Sequence, residues 1–278
     1  MNLYTIDTGF FKLDGGAMFG VVPKVLWQKH QPPDEKNYCR WAMRCLLIEE
    51  GNRLILIDTG LGNKQSEKFF SFFQPHGEDS LIGSIKKHGF CPADVTDVVL
   101  THLHFDHCGG AVYRQGEHLR PLFTNATYWS NEGHWDWASD PNAREKASFL
   151  KENFYPIKES GQLKFINQGE KLTDNISFIE ANGHTEKMLI PHINYKGKTL
   201  VFMADLLPSP SHMPLPWVMG YDIRPLVTVK EKEGFLTNAV NNDYVLFFEH
   251  DPTIECCSLK MTDKGVRPDQ FFSLNEWI

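Results

Sequence analysis

Leu100-Thr101-His102-Leu103-His104-Phe105-Asp106-His107-Cys108-Gly109-Gly110 is the stretch on which the reading of this chain turns. Three histidines and an aspartate fall within six residues, directly after the apolar run at 97–100 (DVVL). In an extended stretch, positions i and i+2 point the same way, so His102 and His104 can grip one ion from one side. A turn after them aims Asp106 and His107 at a neighbouring ion. Gly109 and Gly110 lack side chains and let the backbone turn tightly beside the cluster. Imidazole and carboxylate are donors that suit zinc and related first-row ions. The bland alternative is a polar loop with surface histidines, but ligand-type residues seldom crowd this densely without a metal.

Working outward, further apolar runs of strand length end in a residue with chemistry to offer. Arg53–Ile57 (RLILI) ends at Asp58-Thr59-Gly60. Ile176–Ala181 (ISFIEA) is followed by Gly183-His184. The runs at 199–204 (TLVFMA) and 244–248 (YVLFF) are followed by Asp205 and by Glu249-His250. Runs without alternation predict strands covered on both faces. A strand that ends in a donor is a rigid strut carrying it into a loop-lined cleft. Between strands, residues 79–88 hold Leu81, Ile82 and Ile85 at helical spacing, with Gly89 as a stop. Residues 130–154 are polar and aromatic with helical stretches. Strands interleaved with helices predict a layered α/β architecture in a single domain, 1–278. Prolines 208, 210, 214 and 216 exclude helix interior and central strand, so 208–216 is expected to be a long loop.

The 278 residues are 41% hydrophobic, 23% charged and 13% aromatic, which excludes disordered, collagen-like and coiled-coil classes. With 28 basic and 35 acidic residues the formal charge is −7, which argues against nucleic acid or an anionic membrane surface as partner. No apolar run of about 18 residues predicts a membrane span, and the first residues do not read as a secretory signal. Six cysteines in such a chain read as reduced thiols, and the expected compartment is the cytoplasm. The partner expected is a small-molecule substrate. The aromatic insert with Trp129, Trp135 and Trp137 is expected to pack in the core, and the number of aromatics makes a homodimer plausible.

His102-x-His104-x-Asp106-His107 after an apolar strand, with Asp58-Thr59-Gly60 upstream and His184, Asp205 and His250 following in order, resembles the metallo-β-lactamase superfamily. The resemblance covers roughly residues 45 to 255. It implies an αβ/βα four-layer sandwich, two mixed sheets flanked by helices, with metals at one edge. It implies that His102, His104 and His184 bind one metal, that Asp106, His107 and His250 bind a second, and that Asp205 bridges both. Asp58 would orient a ligand histidine through a hydrogen bond. The expected cofactor is two divalent ions, zinc first, with iron, manganese or cobalt suited to the same donors. Two ions about 3.5–4 Å apart can share a hydroxide and lower its pKa towards neutrality, which makes that hydroxide the expected nucleophile. Asp106 is then the expected proton shuttle and Asp205 the second catalytic carboxylate. Cys108, beside His107, reads as a small buried residue and not a ligand.

The segment Leu13-Asp14-Gly15-Gly16-Ala17-Met18-Phe19-Gly20-Val21-Val22-Pro23-Lys24, together with Asp205-Leu206-Leu207-Pro208, Trp217 and Tyr221-Asp222, is similar to a quorum-quenching, lactonase-like branch of that superfamily. That branch opens acyl-homoserine lactone rings or related esters. The better-studied lactonases place a tyrosine three residues after the bridging aspartate, and here that position is Pro208; His212 or Tyr221 would have to replace it. Met18 and Phe19 are candidates either for an acyl-chain pocket or for the core. Three alternatives stay open: an organophosphate or phosphodiester hydrolase of the same fold, an iron-dependent sulfur dioxygenase using one metal, and a non-catalytic metal-binding module.

Overall fold

The computed structural model describes Met1–Ile278. Its contacts divide the chain into two compact units, Met1–Gly9 with Met43–Asn167, and Phe10–Ala42 with Gln168–Ile278.

The first unit is organised around the apolar runs read above. Its strands are β1 (Asn2–Asp14) and β2 (Tyr38–Glu50), each of which also contributes residues to the second unit, then β3 (Arg53–Ile57), β4 (Asp97–Val99), β5 (Val112–Gln115), β6 (His118–Pro121), β7 (Thr127–Ser130) and β8 (Leu163–Phe165). Six of them form a sheet in the order β1-β2-β3-β4-β7-β8, and β5 with β6 makes a separate hairpin. β2 and β3 are antiparallel, whereas β3, β4, β7 and β8 run parallel, so the sheet is mixed. All four apolar residues of β3 are buried, as expected of a strand without alternation. The helix Leu81–Lys87 forms where its spacing predicts. Ser80 caps it by accepting from Gly83 N–H, and Gly89 at φ +87° ends it in a conformation that costs glycine little. Leu81 and Ile85 enter one apolar cluster with Leu47, Leu56, Val98 and Trp135. Trp135, from the helix Glu132–Ser139, is therefore a core residue.

The second unit carries β9 (Lys171–Thr173), β10 (Ile176–Ala181), β11 (Met188–Tyr195), β12 (Lys198–Phe202), β13 (Val245–Phe247), β14 (Cys256–Thr262) and β15 (Gly265–Phe272). They form one sheet in the order β15-β14-β13-β12-β11-β10-β9. Only the β12–β13 pair is parallel, so it needs a crossover. That crossover includes the helix Pro225–Asn241, which sequence reasoning missed. Its buried positions are Thr228, Lys232, Phe235, Leu236 and Ala239. The spacing is helical, but the first two are polar and break the apolar stripe. The proline-rich loop is a loop as expected, with one 3-10 turn at Pro210–His212. All six cysteines are free thiols, and no helix is long and apolar enough to cross a membrane.

Close approach, and not an unusual φ, explains the two glycines of the central motif. A Cβ on Gly109 would lie 2.0 Å from Leu61 O, and one on Gly110 would lie 2.1 Å from Thr59 O. Gly110→Ala should therefore destabilise the protein by about 1–3 kcal/mol in urea unfolding, the usual cost of overpacking. Gly234→Ala, at a helical position with nothing within 4 Å of the added Cβ, should instead stabilise it by about 0.4–1 kcal/mol. Equal effects of the two substitutions would show that the turn at Gly110 has room to spare.

Candidate metal centre

In the first unit, β4 ends at Val99, and an irregular stretch with bends at Thr101 and His104 leads into a one-turn helix, Phe105–Cys108. The rings of His104 and His107 lie 4.6 and 3.9 Å from that of His102, so the motif gathers its three imidazoles as expected. All three are buried, and so is Asp106. Phe105, between His104 and Asp106, packs edge-on against Phe69 and tilted on Phe73 of the helix Glu67–Phe73. His134 accepts the Leu103 N–H at 2.8 Å and pins the turn between the first two histidines. Buried Lys64 donates to the Gly109 carbonyl. Cys108 is a buried thiol whose pKa burial pushes up to about 12. It is an Sγ–H donor to Leu103 O, which fits a structural residue.

Each ring's orientation has a cause. Asp58 is fully buried at the end of β3, in a left-handed conformation (φ +58°). It accepts from Thr101 N–H at 2.8 Å and Thr101 Oγ1–H at 2.6 Å, and its Oδ2 lies 3.1 Å from His107 Nδ1. Because the Thr101 hydroxyl proton goes to Asp58, its oxygen accepts from His102 Nδ1, 3.1 Å away. Asp58 thus contacts one ring directly and a second through Thr101. Glu145 Oε1 lies 3.6 Å from His104 Nε2, beyond hydrogen-bond distance, so the two meet by charge and not through a shared proton. Glu145 is itself held by Trp137 Nε1–H at 2.7 Å and Asn142 Nδ2–H at 2.6 Å. Sequence reasoning missed His134, on the helix Glu132–Ser139, and Glu145, in the irregular stretch that follows it.

In the second unit, Asp205 stands between two imidazoles. Its Oδ2 is 3.1 Å from His184 Nε2 and its Oδ1 is 3.1 Å from His250 Nε2. The opposite nitrogens are committed elsewhere. His184 Nδ1 lies 3.0 Å from Asp222 Oδ1, and His250 Nδ1 lies 2.8 Å from Ala42 O. With the proton on Nδ1, a neutral imidazole turns a lone pair from Nε2 towards a carboxylate oxygen. Two lone pairs at that distance repel unless a proton or a metal cation lies between them. The donor set therefore fits a divalent metal held by imidazole and carboxylate. Asp222 was quoted in the sequence only as part of a resembling stretch, and its role on His184 was missed.

The residues proposed for a substrate pocket are placed differently from one another. Met18 and Phe19 are fully buried, and Phe19 stacks on Trp27 at 5.2 Å and on His212 at 4.6 Å. His212 is buried with Nδ1 2.9 Å from Ser209 Oγ and Nε2 2.9 Å from Met18 O. Burial lowers its pKa to about 3, so it is a neutral packing residue. Tyr221 keeps 39% of its surface exposed. The carbonyl of Pro208 accepts the His250 N–H at 3.3 Å.

Comparison with known proteins agrees with this geometry. The family model for the metallo-beta-lactamase superfamily matches residues 44–236. The chain belongs to that superfamily. N-acyl homoserine lactonase AttM of Agrobacterium fabrum is 26% identical over 185 residues, 63% of this chain and 65% of its own length. The chain spans less than two thirds of the length of the curated lactonases it matches. Among solved structures, a probable metal-dependent hydrolase from Staphylococcus aureus superposes with a TM-score of 0.89 at 29% identity, covering 98% of this chain and 96% of that one. AidC, a dizinc quorum-quenching lactonase, superposes with a TM-score of 0.80 at 23% identity, covering 98% and 95%. The metallo-beta-lactamase fold accounts for the two mixed sheets, each of which was expected. If the carboxylates behind the rings set the donors of this superfamily member, Asp222→Ala and Glu145→Ala should each weaken zinc binding about 10–100-fold in competition with a chromophoric chelator. Unchanged affinity in both would show that the rings are held by packing alone.

Proposed function

We propose that this protein is a dinuclear metal-dependent hydrolase that opens a lactone ring or cleaves a related ester, with acyl-homoserine lactones as the leading substrate class. The observation that carries the reading is the commitment of Nδ1 in His184 and His250, which turns both Nε2 atoms onto opposite oxygens of Asp205. In this reading His102, His104 and His184 hold one ion, Asp106, His107 and His250 hold the other, and Asp205 serves both. Zinc is the ion favoured by five imidazoles and two carboxylates, and a dizinc relative of the same fold supports it. When bound, the two ions supply Lewis acidity for an ester carbonyl and lower the pKa of a water towards neutrality. Asp106, whose side chain is 11% exposed, is the carboxylate placed to take a proton from the attacking water and pass it to the leaving alkoxide. The lactone class is supported by relatives named as lactonases.

The test compares zinc-loaded protein on N-acyl homoserine lactones, aryl esters and aryl phosphotriesters. The lactones should show the highest kcat/KM. Chelation should remove turnover, and added zinc should restore it with two ions per chain. A tenfold preference for phosphotriesters would move the substrate to that class. Undiminished lactone opening by the stripped protein would end the metal-dependent reading.

A further inference from the structure

Lys232 lies in the helix Pro225–Asn241 and is fully buried, yet no carboxylate forms an ion pair with it. Its Nζ donates to a cage of backbone carbonyls: His212 O at 2.5 Å, Trp217 O at 2.8 Å, Pro214 O at 3.1 Å and Leu215 O at 3.4 Å. The composition of the loop explains why these acceptors are available. Prolines 208, 210, 214 and 216 have no N–H, so the segment carries more carbonyls than amides to pair with them. An ammonium brings three donors and makes up part of that deficit. A buried ammonium without such acceptors would be strongly unfavourable. Burial lowers the Lys232 pKa to about 7, and the charge of Asp222 opposes that fall.

The same helix holds a second loop. Glu231, the preceding residue, accepts Asn182 N–H at 2.7 Å and Gly183 N–H at 3.0 Å. Thr228 packs so closely on Gly183 that a Cβ there would lie 2.2 Å from its Oγ1. The Glu231 and Thr228 contacts fix the backbone leading into His184. The Lys232 contacts gather residues 212–217 of the loop that joins Asp205 to Asp222. His184 faces both of those aspartates, with Nδ1 3.0 Å from Asp222 Oδ1 and Nε2 3.1 Å from Asp205 Oδ2.

We propose that Lys232 is a positioning residue. Its ammonium takes the place of an internal cation in the 212–217 carbonyl cage and so sets Asp205 and Asp222 against His184. The functional consequence rests on the reading that these three residues serve a metal centre.

Two variants test it. Lys232→Met keeps the length of the side chain and removes its three donors. Lys232→Ala empties the cage so that propylammonium can enter from solution. In the metal-free protein, amide hydrogen exchange across 205–222 should speed up at least tenfold in both variants, with the circular dichroism spectrum retained. Zinc affinity should fall at least tenfold. Propylammonium should restore both properties in Lys232→Ala, whereas tetramethylammonium, with the same charge and no N–H, should restore neither. Exchange and affinity within twofold of the unsubstituted protein would overturn the proposal. So would equal rescue by the two cations, or unfolding of both variants that propylammonium does not reverse. The exchange measurement needs neither metal nor substrate. An unsubstituted protein that binds no zinc would therefore end the dinuclear reading while leaving the loop-fixing role of Lys232 open to this same measurement.

Discussion

An imidazole has two nitrogens, and a buried metal donor is useful only when one of them is engaged elsewhere and the other is aimed. Here the engaged atom is Nδ1 in His102, His107, His184 and His250. Its acceptors are a threonine hydroxyl, two buried aspartates and a backbone carbonyl. His104 is the exception, its Nε2 lying 3.6 Å from Glu145 Oε1, too far for a hydrogen bond. Each acceptor must itself be held, because a loosely placed carboxylate would orient nothing. Asp58 meets that demand through both Thr101 donors, and Glu145 through Trp137 and Asn142. The polar residues behind the rings are therefore as much a product of the fold as the apolar core.

Strand ends supply the rigidity, at a local conformational cost. Asp58 follows β3 at φ +58°, and Ala204 precedes Asp205 at φ +42°. A left-handed alanine costs about 1–2 kcal/mol and persists only where neighbours fix it. Around Ala204, Met203 N–H is bonded to Phe247 O at 3.0 Å and Leu206 N–H to Met203 O at 3.2 Å. Around Asp58, its own N–H goes to Val99 O at 2.9 Å and Thr59 N–H goes to His107 O at 2.8 Å. In both places the chain leaves a buried strand and turns sharply within one residue. That sharp turn is what points a carboxylate out of the end of a strand.

What could be seen in the sequence follows from which signals are local. Strands such as Arg53–Ile57 and Ile176–Ala181 are runs whose burial depends on their own composition, and they were legible to the residue. The dense histidine motif and the His and Asp residues that follow strands stood out in the sequence because their neighbours mark them. Asp222 and Glu145 were not, since an aspartate or glutamate in an irregular segment looks like a solvated charge until its partner is known. The helix Pro225–Asn241 was lost for a related reason. Thr228 and Lys232 occupy positions of its buried face that an apolar pattern would fill, because that face meets loop backbone as well as side chains. Pattern reading assumes that burial means apolarity, and it fails where a helix serves backbone polar groups.

Pro208 shows how the same loop can alter recognition without touching the donors. Where the resemblance to the lactonase-like branch implies a tyrosine, this chain has a buried proline that offers only its carbonyl, and that carbonyl accepts from His250 N–H. Of the two residues that could supply a replacement donor, His212 has both nitrogens engaged and is held neutral by burial. Releasing either nitrogen would break a buried hydrogen bond and disturb the stack on Phe19, a cost of roughly 1–3 kcal/mol for the unsatisfied group alone. Tyr221 has more than a third of its surface exposed and immediately precedes Asp222 in the chain. Burial and two committed nitrogens therefore rule His212 out as a replacement donor, and Tyr221 is the one of the pair whose side chain reaches solvent.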